Sequence, residues 1–82
     1  MYPLARFMKY AKINDLELKL SEERTEHLYN VSNRMELRSE VTMRYWGMVG
    51  QIRDGNPEKS PEIIREESYK HLLMYYLRES GG

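Results

Sequence analysis

The chain runs from Ser21 to Trp46 without a proline or a glycine, the two residues that most readily end a helix. Ser21 is followed by two glutamates, and a hydroxyl followed by acids is typical of a helix start. Apolar side chains then recur at near-heptad spacing as far as Ile52. We therefore predict one long helix over 21–52, with an interruption near Gly47.

The clearest boundary in the sequence lies beyond this stretch. Residues 54–57 read Asp-Gly-Asn-Pro, which is a strong turn signal. Ser60, Pro61 and Glu62 then supply a capping hydroxyl, a proline at the first helical position and an acid beside it. This pattern predicts a helix over 60–79 that packs against the long helix as an antiparallel hairpin.

A short helix is predicted near the N-terminus, because Pro3 suits a first turn and apolar residues follow with helical spacing. The residues on its apolar face are Leu4, Phe7, Met8 and Ala11. We expect this helix, over 3–12, to lie across the hairpin. The predicted fold is thus a small all-α domain of three helices that occupies the whole chain, residues 1–82.

Two segments carry a pattern that also suits β-structure. Leucines alternate with charged residues over 16–20, which fits a short strand, an extended connector or a helical turn. Residues 41–46 are rich in β-prone side chains, so a strand there is the main alternative to the all-helical fold.

Composition limits the classes of function. The chain has 82 residues, no cysteine and a net charge of zero. A disulfide framework and a zinc–thiolate site are excluded, and a dedicated DNA-binding domain usually carries a basic excess. No apolar run approaches the length of a membrane span, and no signal peptide is visible. We expect a cytoplasmic protein that does not contact membranes.

Catalytic patterns are absent from the sequence. The two histidines, His27 and His71, are far apart and neither belongs to a metal-binding motif. The glutamates cluster near predicted helix starts, where the helix dipole favours them. We therefore expect a non-enzymatic protein without a metal or a cofactor.

Two arginines on the predicted long helix suggest a partner-binding surface. Arg34 and Arg38 are four residues apart, so they share a helical face, and apolar side chains surround them. A guanidinium in such a setting must be paired or must face a partner. The candidate partner-binding residues are His27, Arg34, Arg38, Tyr45 and Trp46. One alternative is that these arginines pair with Glu66 or Glu67, or with acids of a second copy. Another is that the helix bends, so that the apolar arc is not continuous.

The N-terminal segment offers a second interpretation. Its basic and aromatic residues interleave, a pattern that suits RNA or single-stranded DNA through charge and base stacking. The candidate nucleic-acid-binding residues are Arg6, Lys9, Tyr10 and Lys12.

The last predicted helix is apolar on every side over residues 72–77. A helix of this kind is buried on more than one side, and a chain this short has little with which to cover it. We therefore expect a homodimer. The candidate self-association residues are Leu72, Leu73, Tyr75 and Tyr76.

Taken together, these features favour a protein-binding module, such as a small adaptor or inhibitor that docks through a helical surface. RNA or single-stranded DNA binding is the alternative function. The short, self-contained chain also resembles the small accessory proteins of viruses and mobile elements.

Overall fold

The computed structural model describes residues 15–33 and 35–81, and this part of the chain consists of helices and connecting loops. Three helices pack against one another: α1 is Glu22–Val31, α2 is Arg38–Gly55 and α3 is Pro61–Gly81. No strand occurs within these described ranges, so the predicted all-α class is confirmed. The predicted helix over 3–12 lies outside them.

Helix α1 begins at the predicted cap. The Ser21 hydroxyl accepts a hydrogen bond from the Arg24 N–H at 3.2 Å, which pairs one of the open donors of the first turn. The helix ends at Val31, and Asn33 then adopts a positive φ of 60°. Asparagine tolerates this left-handed conformation better than most residues. The prediction of one long helix over 21–52, with its interruption near Gly47, is therefore wrong in placing residues 32–37 within a helix.

Two residues of the loop between α1 and Arg38, Ser32 and Glu36, form contacts in the interior of the protein. The Ser32 hydroxyl is buried and donates to the Tyr29 carbonyl oxygen at 2.6 Å. Farther along, Glu36 reaches Arg44 in the interior. On an unbroken helix two residues eight apart are separated by about 12 Å along the axis. The chain must leave the helix for this contact to form.

Helix α2 begins after Leu37, where the Glu40 carboxylate accepts a hydrogen bond from the Leu37 N–H at 3.0 Å. The helix continues through Gly47 and Gly50, and both are buried. The predicted interruption near Gly47 is therefore wrong, since the break lies earlier in the chain. Residues 41–46 are helical, which excludes the strand that their composition allowed.

Helix α3 begins at Pro61 as predicted, and the Ser60 hydroxyl accepts from the Ile63 N–H at 3.3 Å. Helices α2 and α3 form the predicted antiparallel hairpin. Beside the connecting turn, Lys59 and Glu67 form an ion pair at 2.8 Å. At the opposite end of the hairpin, the loop before α2 contacts the last turns of α3.

The connector over 16–20 resolves the open choice among strand, connector and helical turn. Its first residues form a turn in which the Leu18 N–H donates to the Asp15 carbonyl oxygen at 2.9 Å. Residues 19–20 then lie outside any helix or strand, with Leu18 and Leu20 buried and Lys19 exposed. The segment is therefore a connector that begins with a turn, and only two of its three leucines pack on the core, since Leu16 is 80% exposed.

The core joins the connector to all three helices. Its buried apolar residues are Leu18, Leu20, Leu28, Val41, Tyr45, Trp46, Val49, Ile64, Leu72 and Tyr76. Leu72 and Tyr76 were predicted to need a second copy for burial, and this reasoning is wrong because α1 and α2 cover them. Leu73 and Tyr75 are half-buried against the same core. Met74 and Leu77 of the same segment are exposed, so part of the predicted apolar surface remains uncovered, and self-association stays a prediction.

A charged pair lies inside this apolar core. The Arg44 Nε donates to Glu36 Oε2 at 2.5 Å, and the Tyr76 hydroxyl donates to Glu36 Oε1 at 2.5 Å. The side chains of Glu36 and Arg44 are only 6% and 5% exposed. Burial raises the pKa of Tyr76, and its hydrogen bond to Glu36 adds to the effect. The Arg44 guanidinium also lies 5.7 Å from the centre of the Tyr75 ring.

Removal of one partner of this pair should be strongly destabilising. We expect Arg44→Met to lower the free energy of unfolding by about 3–5 kcal/mol, because Glu36 would lose its buried ion-pair partner. The matched variant is Arg38→Met in the same helix, whose exposed ion pairs contribute about 0–1 kcal/mol. Urea unfolding monitored by circular dichroism measures both. Equal losses of unfolding free energy in the two variants would show that the buried pair stabilises the fold no more than the exposed ion pairs of Arg38 do.

Two buried serines offer a second comparison. The Ser68 hydroxyl has no hydrogen-bond partner among the described residues, whereas the Ser32 hydroxyl donates to a carbonyl oxygen. An unpaired buried hydroxyl carries a desolvation penalty of about 1–3 kcal/mol. We expect Ser68→Ala to leave the melting temperature unchanged or raise it. Ser32→Ala should lower stability by about 1 kcal/mol. A larger loss of stability in Ser68→Ala than in Ser32→Ala would show that the Ser68 hydroxyl forms a stabilising hydrogen bond.

Candidate functional site

A cleft of about 310 Å³ opens where the connector crosses α1 and α2. Cavities that hold ligands usually measure about 300–1,000 Å³, so this one is at the lower end of that range. Residues of the connector, of α1 and of α2 all contribute to its wall. The cleft thus exists only because three separate segments meet.

The floor of the cleft is apolar and rigid. It is formed by Leu20, Val41, Tyr45 and Trp46, all of which are buried. The Tyr45 and Trp46 rings meet edge to face, with centroids 5.5 Å apart. The Tyr45 hydroxyl donates to the Leu18 carbonyl oxygen at 2.5 Å, which ties the connector to α2. Burial raises the pKa of Tyr45 to about 12.

The rim of the cleft is polar. The Arg38 Nη2 lies 2.9 Å from a carboxylate oxygen of Glu26 and 3.6 Å from one of Glu22, while half of its side chain stays exposed. Thr25 and Thr42 complete the rim on α1 and α2. Their hydroxyls donate to backbone carbonyl oxygens of their own helices, so each hydroxyl oxygen can still accept a hydrogen bond.

A second cleft, of about 500 Å³ and more open, lies against the same connector. Arg24 and Glu66 border it and form an ion pair at 2.8 Å, and the Arg24 guanidinium stacks 4.5 Å from the centre of the Tyr69 ring. The hydrogen bond from Arg24 lowers the pKa of the Glu66 carboxyl, and the charges of Lys70 and Arg65 add to this effect.

The first cleft brings together three of the five predicted partner-binding residues. Arg38 stands on its rim, and Tyr45 and Trp46 form part of its floor. Only the edges of the two rings face the cleft, because Tyr45 is 1% and Trp46 is 9% exposed. His27 is exposed on α1 but does not line the cleft. Arg34 lies outside the described residues.

Helix α1 ends at Val31 and α2 begins at Arg38, so the long helix that was to carry the arginine stripe is interrupted. The alternative that these arginines pair with Glu66 or Glu67 is wrong for Arg38. Arg38 pairs with Glu22 and Glu26 of α1. Glu66 and Glu67 pair instead with Arg24 and Lys59, as described above.

Sequence reasoning missed the connector and hydroxyl contributions to the site. Lys19 and Leu20 were seen only as part of an alternating pattern, and Thr25 and Thr42 carried no signal of their own. The alternation of leucines with charged residues over 16–20 was the available clue that this segment packs on the core. The candidate nucleic-acid-binding residues Arg6, Lys9, Tyr10 and Lys12 lie outside the described residues.

The described residues form neither a metal cluster nor a membrane-spanning helix. Within residues 15–33 and 35–81, no three metal-ligating side chains come together. In the same part of the chain, no helix combines the length and apolar content that a bilayer span requires. An apolar floor with a few polar groups at the rim is the arrangement that orients and holds an apolar group of a ligand.

Comparisons with known proteins add no family to this picture: no family model, curated protein or solved structure gives a significant match to the chain.

Because of Tyr45 on the floor of the cleft, the folded protein should become less stable at alkaline pH. The pKa of Tyr45 is raised to about 12 in the folded protein, against about 10 when unfolded. The stability that the un-ionised Tyr45 contributes is therefore complete below pH 10. It is lost as the pH rises from 10 to 12, which lowers the free energy of unfolding by at most about 2–3 kcal/mol.

Urea unfolding at a series of pH values tests this expectation. Tyr45→Phe should lower stability at neutral pH by about 1 kcal/mol, through loss of the bond to Leu18. The same substitution should also make the fall in stability between pH 10 and 12 less steep. Identical slopes in the two proteins would mean that Tyr45 does not cause the decline.

Proposed function

We propose that this protein is a non-catalytic protein-binding module, and that the first cleft is where its partner docks. In this proposal an apolar side chain of the partner enters the cleft and rests on the exposed edge of Trp46. The rim residues, Arg38 above all, then hydrogen-bond the partner's backbone or its acidic groups.

The single observation that carries the proposal is an exposed opening onto a buried aromatic floor. Aromatic residues and arginine are the residues most often found at the energetic centres of protein interfaces. The floor is held in place before any partner arrives, because the Tyr45 hydroxyl is bonded to Leu18 and the ring packs on Trp46. A preformed site avoids part of the entropy loss of binding.

Arg38 suits this role because its present ion pairs are exposed and easily exchanged. Ion pairs at a solvent-exposed rim contribute only about 0–1 kcal/mol, so a ligand carboxylate can replace Glu26 at little cost. The planar guanidinium can bind such a carboxylate through two parallel hydrogen bonds. The basic N-terminal segment, which motivates the alternative of nucleic-acid binding, lies outside the described residues.

A selection of binding peptides tests the proposal. The purified chain is panned against random peptides displayed on phage, and the enriched peptides are synthesised for affinity measurement. Thr42→Trp is the diagnostic variant, because a large side chain on the rim fills the opening. We expect it to weaken binding at least about tenfold, which corresponds to about 1.4 kcal/mol.

Gln51→Trp is the matched control, since Gln51 is exposed on the same helix but does not line the cleft. This variant should bind the peptides as the unchanged protein does. The proposal fails if no peptide is enriched, or if both tryptophan variants bind equally well.

A further inference from the structure

The two clefts are neighbours that share one wall. Lys19, Leu20 and Glu22 line both of them, so the connector forms a low ridge between two adjoining depressions. The first depression has the buried aromatic floor, and the second is wider and more open. An extended segment of a ligand that enters the first cleft would pass over Lys19 into the second.

The charges along the second cleft are unevenly paired. Its two acids are already engaged, Glu66 with Arg24 at 2.8 Å and Glu22 with Arg38 at 3.6 Å. Two of its cations, Lys19 and Arg65, have no carboxylate partner within ion-pair distance among the described residues. This part of the surface therefore has positive charge to spare, although the whole chain is neutral.

Arg65 is also positioned to bind an anion. One of its terminal nitrogens donates to the Glu17 carbonyl oxygen at 3.1 Å, which holds the side chain against the connector. A guanidinium has five N–H donors in a fixed plane, so the others remain for a ligand. An arginine held in place by one hydrogen bond loses less conformational entropy when it forms the next.

An exposed apolar residue borders the same cleft. The Leu16 side chain is 80% exposed beside Lys19 and Arg65. Large apolar side chains next to unpaired cations suit a peptide better than a polynucleotide, whose phosphates need a broader basic surface. The neutral net charge of the chain favours the same choice.

We infer that the two clefts together bind an extended segment of a partner protein in which an apolar side chain is followed by acidic residues. The apolar side chain occupies the first cleft, and the carboxylates meet Lys19 and Arg65 in the second. This inference rests on the proposed function, because it specifies the chemistry of the partner that docks there.

The peptides enriched by panning supply the test. We expect an excess of aspartate and glutamate next to an aromatic or aliphatic residue, relative to the unselected library. Lys19→Glu and Arg65→Glu should each weaken the selected peptides about tenfold through lost attraction and added repulsion. Added salt should weaken binding to the unchanged protein more than it weakens binding to either variant.

Arg78→Glu is the matched control, because Arg78 is exposed near the end of α3 and lines neither cleft. It makes the same change in net charge and should leave affinity unchanged. Circular dichroism and the melting temperature of each variant check that the fold is intact. Equal weakening by all three charge reversals would indicate a general charge effect and overturn the inference.

The remaining outcomes distinguish failure of the inference about acidic residues from failure of the proposed function. Peptides that lose affinity with Thr42→Trp but show no acidic excess and tolerate Lys19→Glu would overturn the inference and leave the proposed function intact. Failure to enrich any peptide that Thr42→Trp affects would overturn both. Displacement of the bound peptides by a single-stranded thymidine oligonucleotide at low concentration would assign the cations to nucleic acid instead.

Discussion

The architecture depends on one buried carboxylate. Glu36 lies in the loop before α2 and accepts hydrogen bonds from Arg44 of α2 and Tyr76 of α3. These two donors satisfy both carboxylate oxygens, so the charge is offset at the point where it is removed from water. The loop, the second helix and the third helix are thereby fixed to a common point. No apolar contact would fix the loop with the same directional precision.

The cleft follows from the same arrangement of α2. Arg44 binds the carboxylate, and the next two residues, Tyr45 and Trp46, form the aromatic part of the cleft floor. Tyr45 then reaches across to Leu18 and holds the connector on the core. The buried ion pair and the cleft are therefore coupled through a single turn of helix. A change that displaces α2 would alter both the hairpin packing and the shape of the cleft.

The charges that stabilise the fold are buried, whereas the charges at the clefts are exposed. The pair of Glu36 and Arg44 is almost completely buried and acts on the fold, whereas the contacts of Arg38 are exposed and readily exchanged. Lys19 and Arg65 differ from Arg44, since neither has a carboxylate within ion-pair distance among the described residues.

The sequence by itself determined the helical class, the starts of α1 and α3 at Ser21 and Pro61, and the turn between α2 and α3. These are local features, because a cap, a proline or a helical period acts within a few residues of its own position. Only the tertiary structure decided the break after Val31, since it depends on contact between Glu36 and residues far along the chain. Likewise, burial of Leu72 and the meeting of Lys19 with Thr42 result from packing between distant segments, which no local pattern encodes.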